Sequence, residues 1–289
     1  NKTTAGTGLP TDYHKVFQNA NAILICSPNP YHLQDLKDAI DSNCHVFVEK
    51  PLSNNLQRID ELLYEAAGRN QIVQIGYNWR FSRSLKKVES LLERGKIGRV
   101  LSARAEIGQY LPDWHPSQDY RQSYTADASR GGGIILDSTH EIDYLFWLLG
   151  EVTHVYCMSD TLSDLEVEAE DTAEITMRFA SGCIGEIHLD FVQRSHAREF
   201  KIVGTNGAIT CDLTDGRVSI FTVEQNTWEH FTIPLDLDGM YIEEMRHFLD
   251  CIEQSKTPVV DLIAGFDVLK IALTARQSSE TQRLMPVMN

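Results

Sequence analysis

Lys50, in Glu49-Lys50-Pro51, and His140, in Asp137-Ser138-Thr139-His140, are the side chains of this sequence best placed by type and setting to move a proton. The tripeptide directly follows the run His45-Val46-Phe47-Val48, so a buried strand would deliver the Lys50 amine to a sheet edge. Partial burial there can bring its pKa towards the range useful for proton transfer. By itself the tripeptide better suits a surface turn. Asp137 lies three residues before His140 and Tyr144 four after it, so one helix would present all three on one face. An imidazole beside a carboxylate can act as acid or base at neutral pH. The alternative is a helix N-terminus capped by Asp137 or Ser138, with His140 packed in the core.

The elements that must position these groups follow from periodicity. Ala22-Ile23-Leu24-Ile25-Cys26 is a short continuous apolar run, and with His45-Val46-Phe47-Val48 and Gln71-Ile72-Val73-Gln74-Ile75 it predicts three strands of a parallel sheet. Between them, Leu33, Leu36, Ala39 and Ile40, then Leu56, Ile59, Leu62, Leu63 and Ala66, recur at helical steps. Strand and helix in alternation build a parallel sheet whose ligands sit beyond the carboxyl ends of the strands. Those ends carry Ser27-Pro28-Asn29, Glu49-Lys50-Pro51 and Tyr77-Asn78-Trp79-Arg80. After residue 80 helices are predicted at about 84–94 and 138–149. Runs rich in Val, Ile, Thr and Phe at 153–158, 172–179, 183–192, 198–203, 208–212, 217–222 and 228–233 predict a mostly antiparallel sheet, and two terminal helices follow at about 239–254 and 261–280. The fold class is α/β: a partial Rossmann domain over residues 1–79, then an α+β domain over 80–289 with a large open sheet.

Four segments in register, Ile25 to His32, His45 to Pro51, Gly76 to Phe81 and Gly131-Gly132-Gly133 through Asp137 to His140, resemble the glucose-fructose oxidoreductase and inositol dehydrogenase (Gfo/Idh/MocA) family. The resemblance implies NAD or NADP bound between two domains, with Ser27, Pro28, Asn29 and His32 lining the adenosine and phosphate side and Glu49 holding the nicotinamide ribose. Pro51, Asn78 and Arg80 complete the implied cofactor set. Lys50 would hydrogen-bond the reacting oxygen and His140 would exchange its proton, with Asp137 as third catalytic residue. A cis Lys50-Pro51 bond is also implied. The spacing between Asp137 and His140 is three where most relatives have four, which leaves Asp143 as an alternative orienting carboxylate.

Relatives begin with a Gly-x-Gly-x-x-Gly turn that cradles the pyrophosphate at a helix N-terminus. Gly6-Thr7-Gly8 has no buried strand before it and is a poor match, so the chain is expected to lack the first part of that domain, to bind the dinucleotide weakly or not at all, and to be inactive as it stands. The loop from Gln109 to Tyr124 mixes aromatic, acidic and basic residues that suit a polyhydroxylated ligand, with Trp114, Arg121, Tyr124, Lys50, Asp137 and His140 as candidate substrate contacts. Trp114 alternatively belongs to a structural lid. The expected activity is hydride transfer between nicotinamide and a sugar, sugar derivative or polyol. A redox-neutral glycosidase or epimerase of the same fold, and a non-catalytic ligand-sensing regulator, are the alternatives.

A formal charge of −15 disfavours nucleic acid and anionic membranes as partners. Six dispersed cysteines lack metal or disulfide spacing, no structural metal is expected, and no apolar run reaches the roughly 20 residues that cross a bilayer, so a cytoplasmic setting is expected. The β-branched and aromatic residues of 172–233 predict an apolar sheet face and a homodimer or homotetramer through it.

Overall fold

The computed structural model describes Phe17 and residues 20–287; Gly6-Thr7-Gly8 lies outside them. The first half contains β1 (Ala22–Ile25), α1 (His32–Asp41), β2 (His45–Glu49), α2 (Ile59–Gly68) and β3 (Val73–Gly76). The three strands form one parallel sheet in the order β1-β2-β3, joined by the crossover helices α1 and α2. Helix α2 starts three residues later than Leu56 because Arg58 takes a left-handed conformation with φ of 62°.

Next come α3 (Arg83–Glu93), β4 (Val100–Gly108), a loop of short 3-10 turns, α4 (Ile134–Asp137) and α5 (Thr139–Leu149). Strands β5 (Val152–Asp160), β6 (Thr172–Phe179), β7 (Ile184–Asp190), β8 (Ala197–Gly204), β9 (Gly207–Asp212), β10 (Arg217–Thr222) and β11 (Thr227–Thr232) follow, then α6 (Leu237–Gln254), α7 (Leu262–Thr281) and β12 (Met285–Pro286). The second sheet runs β11-β10-β9-β8-β4-β7-β6-β5-β12 and is antiparallel except between β4 and β7.

Alternation decides which face of that sheet is covered. In β6, Ala173, Ile175, Met177 and Phe179 point inwards and are buried, while Glu174, Thr176 and Arg178 point out. The outer face carries charge instead of the expected apolar patch. Arg104 pairs with Glu186 at 2.9 Å, and Glu199 and Lys201 stand exposed beside them. His188 lies between Asp190 (3.0 Å) and Glu174 (2.7 Å); these hydrogen bonds, Asp190 first, lift its pKa to about 9 and keep it cationic at neutral pH. The expectation erred because the β-branched residues counted along 172–233 are those of the covered face.

The C-terminal helices return to the small sheet. Ile75 N–H donates to Val260 O at 3.0 Å, and Gln74 bridges to Asp261 ahead of α7. Helix α6 lays a stripe of Met240, Glu244, Phe248 and Cys251 against the interior, with Phe248 edge-on to Phe47 at 5.9 Å.

Candidate active site

The tip of β2 turns through a cis Lys50-Pro51 bond, as the resemblance implied. Lys50 Nζ donates to Asp137 O at 2.6 Å and approaches Asp137 Oδ1 at 3.3 Å. An ammonium has three N–H donors, so one remains for the crevice. The nearly buried Asp137 carboxylate also accepts from Tyr124 Oη at 2.8 Å on Oδ1 and from Thr125 Oγ1 at 2.8 Å on Oδ2. Burial, then the Asp137 charge, pushes the Tyr124 pKa up, so its hydroxyl stays a donor.

Asp137 therefore orients Lys50 and not His140. The single helix drawn through both from their spacing is broken at Ser138 (φ −101°, ψ 37°), which separates α4 from α5 and turns the Asp137 side chain away. Asp143 does not orient His140 either: Arg80 holds it through Nη2 at 2.7 Å and Nε at 3.1 Å, with the guanidinium over the Trp147 ring. Arg80 is thereby taken up at the junction between the halves. The imidazole of His140 meets the Tyr77 ring edge-on at 5.6 Å, and its buried Nδ1 has no hydrogen-bond partner. Burial first, then the Lys50 and Arg198 charges, hold its pKa well below the ordinary value, so the ring is neutral at pH 7. Arg198 stays beside it through Glu141, at 2.8 Å, while stacking on Trp79 at 4.7 Å.

The other candidates divide. Ser27 Oγ donates to Asp35 at 2.6 Å, and Pro28 is exposed. His32 is buried with its ring nitrogens 2.6 Å from Ser27 O and 2.9 Å from Pro51 O, fastening the first strand end to the Lys50 tip. Asn29 is buried and its Nδ2 donates to Gly131 O at 3.1 Å. Glu49, half-buried, lies beside Gly76 in the sheet register, where an added Cβ would crowd its carboxylate. Asn78 is buried. Trp114 packs edge-on against Phe191 and donates to Gln109 O, as a structural lid would. Arg121 is exposed and paired with Asp119 and Glu166. Among the described residues no group of His, Cys, Asp and Glu gathers as a metal site.

Sequence reasoning passed over Thr125, the Arg198-Glu141 pair, and Arg276, which binds Glu170 at 2.8 Å and Gly132 O at 2.5 Å and so steadies the glycine stretch from behind. Gly131 has φ of 77°, and a Cβ there would overlap the Asn29 carboxamide. Gly131→Ala is expected to cost about 2–3 kcal/mol in chemical denaturation, and Asn29→Ala in the same chain should recover the overlap component but not the backbone one.

Just past the carboxyl ends of β1 and β3, the acceptors Asn29 Oδ1 and Asn78 Oδ1 are buried without partners. A ligand rich in O–H and N–H donors, such as a ribose or a carboxamide, fits that need.

Residues 3–77 match the family model described as oxidoreductase family, NAD-binding Rossmann fold, and residues 85–210 match the GFO/IDH/MocA C-terminal domain. A myo-inositol 2-dehydrogenase from Thermotoga maritima is 29% identical over 286 residues, 94% of this chain and 82% of that protein. A scyllo-inositol 2-dehydrogenase (NAD(+)) from Bacillus subtilis is 26% identical over 270 residues, 89% of this chain and 75% of that protein. In fold, the chain is similar to a levoglucosan dehydrogenase in complex with NADH, with a TM-score of 0.87 at 20% identity, covering 96% of this chain and 83% of that one. With the two family models together spanning well over half of its length, the chain belongs to the GFO/IDH/MocA family of NAD-binding oxidoreductases.

Proposed function

We propose that this protein transfers hydride between a nicotinamide cofactor and a secondary alcohol of a sugar or polyol, in the crevice between residues 1–79 and 80–289. The observation that carries the reading is the Lys50 ammonium, held by Asp137, beside a neutral imidazole whose Nδ1 is orphaned. The residues at the strand ends suit NAD or NADP, with Glu49 and the orphaned acceptors towards the nicotinamide ribose and carboxamide. When bound, the cofactor supplies the hydride acceptor at C4 of the nicotinamide ring.

The remaining work falls to side chains. Lys50 uses its free N–H to hold the substrate oxygen and stabilise the negative charge that develops there. Neutral His140 accepts the hydroxyl proton as the C–H bond breaks, and returns it in reduction. Asp137, with Tyr124 and Thr125 locking both of its oxygens, keeps Lys50 from swinging out. The relatives named as inositol and levoglucosan dehydrogenases support a cyclic polyol or anhydrosugar as substrate class. Six unpaired cysteines among the described residues support the cytoplasm as its setting, while the charged outer sheet face leaves a homodimer or homotetramer through it without the apolar surface from which it was argued. No helix among the described residues is long and apolar enough to cross a membrane.

The test is a panel of inositols, anhydrosugars and hexoses assayed with NAD⁺ and NADP⁺ in the full-length protein, following reduced nicotinamide. Net reduction with at least one polyol is expected. Substrate conversion without net reduction would move the assignment to redox-neutral chemistry, and no turnover on any of them would sink the reading.

A further inference from the structure

Helix α4 is a single turn, too short to hold its own shape in water. Yet it carries the atom that aims Lys50: the acceptor at 2.6 Å is the main-chain carbonyl of Asp137, its last residue. Tyr124 and Thr125 bind the Asp137 side chain, not that carbonyl. The heading of the amine is therefore set by where the α4 backbone sits, which no rotamer of Asp137 can change.

Glu170 and Arg276 fix that backbone from behind. Glu170 O accepts from Ile134 N–H at 2.9 Å and Glu170 Oε1 from Ile135 N–H at 3.3 Å, so one residue takes up the first two N–H groups that a helix start leaves unpaired. The same Oε1 accepts from Arg276 Nε at 3.1 Å and Nη2 at 2.8 Å, and Nη2 also donates to Gly132 O at 2.5 Å. Gly133 lies against the pair: a Cβ there would stand 2.6 Å from both Arg276 Nη2 and Glu170 Oε1. Arg276 has a firm base on α7. On that helix Ser278 Oγ and Ser279 Oγ accept from Cys157 N–H and Ser159 N–H, each at 2.9 Å, which ties it to β5.

We propose that Arg276 and Glu170 are positioning residues for Lys50, fixing from α7 the carbonyl that aims its amine. The inference rests on the hydride-transfer reading for the catalytic meaning of that amine. The mechanical link stands apart from that reading, because hydrogen bonds run from Arg276 through Glu170 to α4 and from Asp137 O to Lys50. A pair that served only the fold would stabilise it and leave Lys50 unmoved. Both partners are partly open to water, 22% and 15% exposed, so loss of Arg276 leaves a hydrated carboxylate and the fold is expected to persist.

The deciding experiment is acetylation by N-hydroxysuccinimide acetate, followed lysine by lysine by peptide mass spectrometry, in full-length wild type, Arg276→Met, Glu170→Ala and Glu170→Gln. Lys37 is the internal control: it is 15% exposed against 18% for Lys50, and is held by Asp41 and Glu65. In Arg276→Met and Glu170→Ala, Lys50 is expected to react about fivefold faster than in wild type, the freedom gained when roughly one hydrogen bond is lost, with Lys37 unchanged. Glu170→Gln should stay within about twofold, because the amide keeps the Oε1 that makes all three side-chain bonds. With NAD⁺ and a polyol, kcat should fall roughly 10- to 100-fold in the first two variants with KM within about threefold, since misplacement of the donor acts on the transition state. Glu170→Gln should keep kcat within about threefold of wild type.

Lys50 and Lys37 speeding up together would show general loosening and overturn the proposal. Lys50 labelling within about twofold of wild type in Arg276→Met would do the same, whatever happens to kcat. If Arg276→Met does not fold, the contrast between Glu170→Ala and Glu170→Gln decides on the same criteria. Labelling as expected, in a wild type that oxidises no polyol, would sink hydride transfer and leave the positioning of Lys50 standing.

Discussion

Lys50→Ala is expected to lower kcat/KM for polyol oxidation by about 10³-fold while leaving the fold intact, because it removes the one donor aimed at the reacting oxygen. The lysine is only partly buried and closes no core, so its loss leaves Asp137 with Tyr124 and Thr125 still bound. The effect should fall mainly on kcat, since the charge it stabilises develops as the C–H bond breaks. Lys50→Arg should rescue poorly: a planar guanidinium cannot reproduce the contact of a compact ammonium with Asp137 O at 2.6 Å. Steady-state kinetics with circular dichroism decide the matter. Activity within threefold of wild type in Lys50→Ala would remove the lysine from the mechanism.

Arg80→Met is expected to destabilise the protein by about 3–5 kcal/mol, the largest effect of any single change on stability considered among these residues. The Arg80-Asp143 pair is buried on both sides, 8% and 0% exposed, and Arg80 also sits over Trp147. Removing the arginine leaves a carboxylate with no counter-charge. The double variant Arg80→Met/Asp143→Leu should recover most of the loss, because an apolar pair of similar volume carries no stranded charge. Denaturant unfolding of the four proteins in the cycle measures this, and a double variant as unstable as the single one would show that the cost lies in lost packing instead.

The parallel half was legible because its strands are mainly apolar, β3 wholly and β2 largely buried though Leu24 of β1 is 53% exposed, and because strand ends in such a sheet are where ligands gather. Strands β6 and β10 stand at the residues indicated by their runs of Val, Ile, Thr and Phe, 172–179 and 217–222. Strand β12, two residues long, has no periodicity to read. The Asp137–His140 relation was misjudged for a physical reason: spacing of three implies one face only while the helix is unbroken, and Ser138, the alternative helix cap, does stand at the N-cap of α5. Arg80 was placed with the cofactor by the resemblance, yet its partner, Asp143, lies 63 positions away, where no local pattern reaches. Glu244 did leave a trace, an acid interrupting the spacing of Met240, Phe248 and Cys251, which periodicity alone treats as noise.

Two cation pairs anchor one helix just after His140, Arg198 on the next residue, Glu141, and Arg80 three residues on, at Asp143. Rolling that helix about its axis would tear both, so the imidazole has one available heading. Arg80 belongs to the segment leaving the small sheet, and its grip makes that exit segment and the histidine travel as one body. Breathing of the cleft would then part the Asn29–Gly131 rim, a single 3.1 Å bond, and leave the base seated.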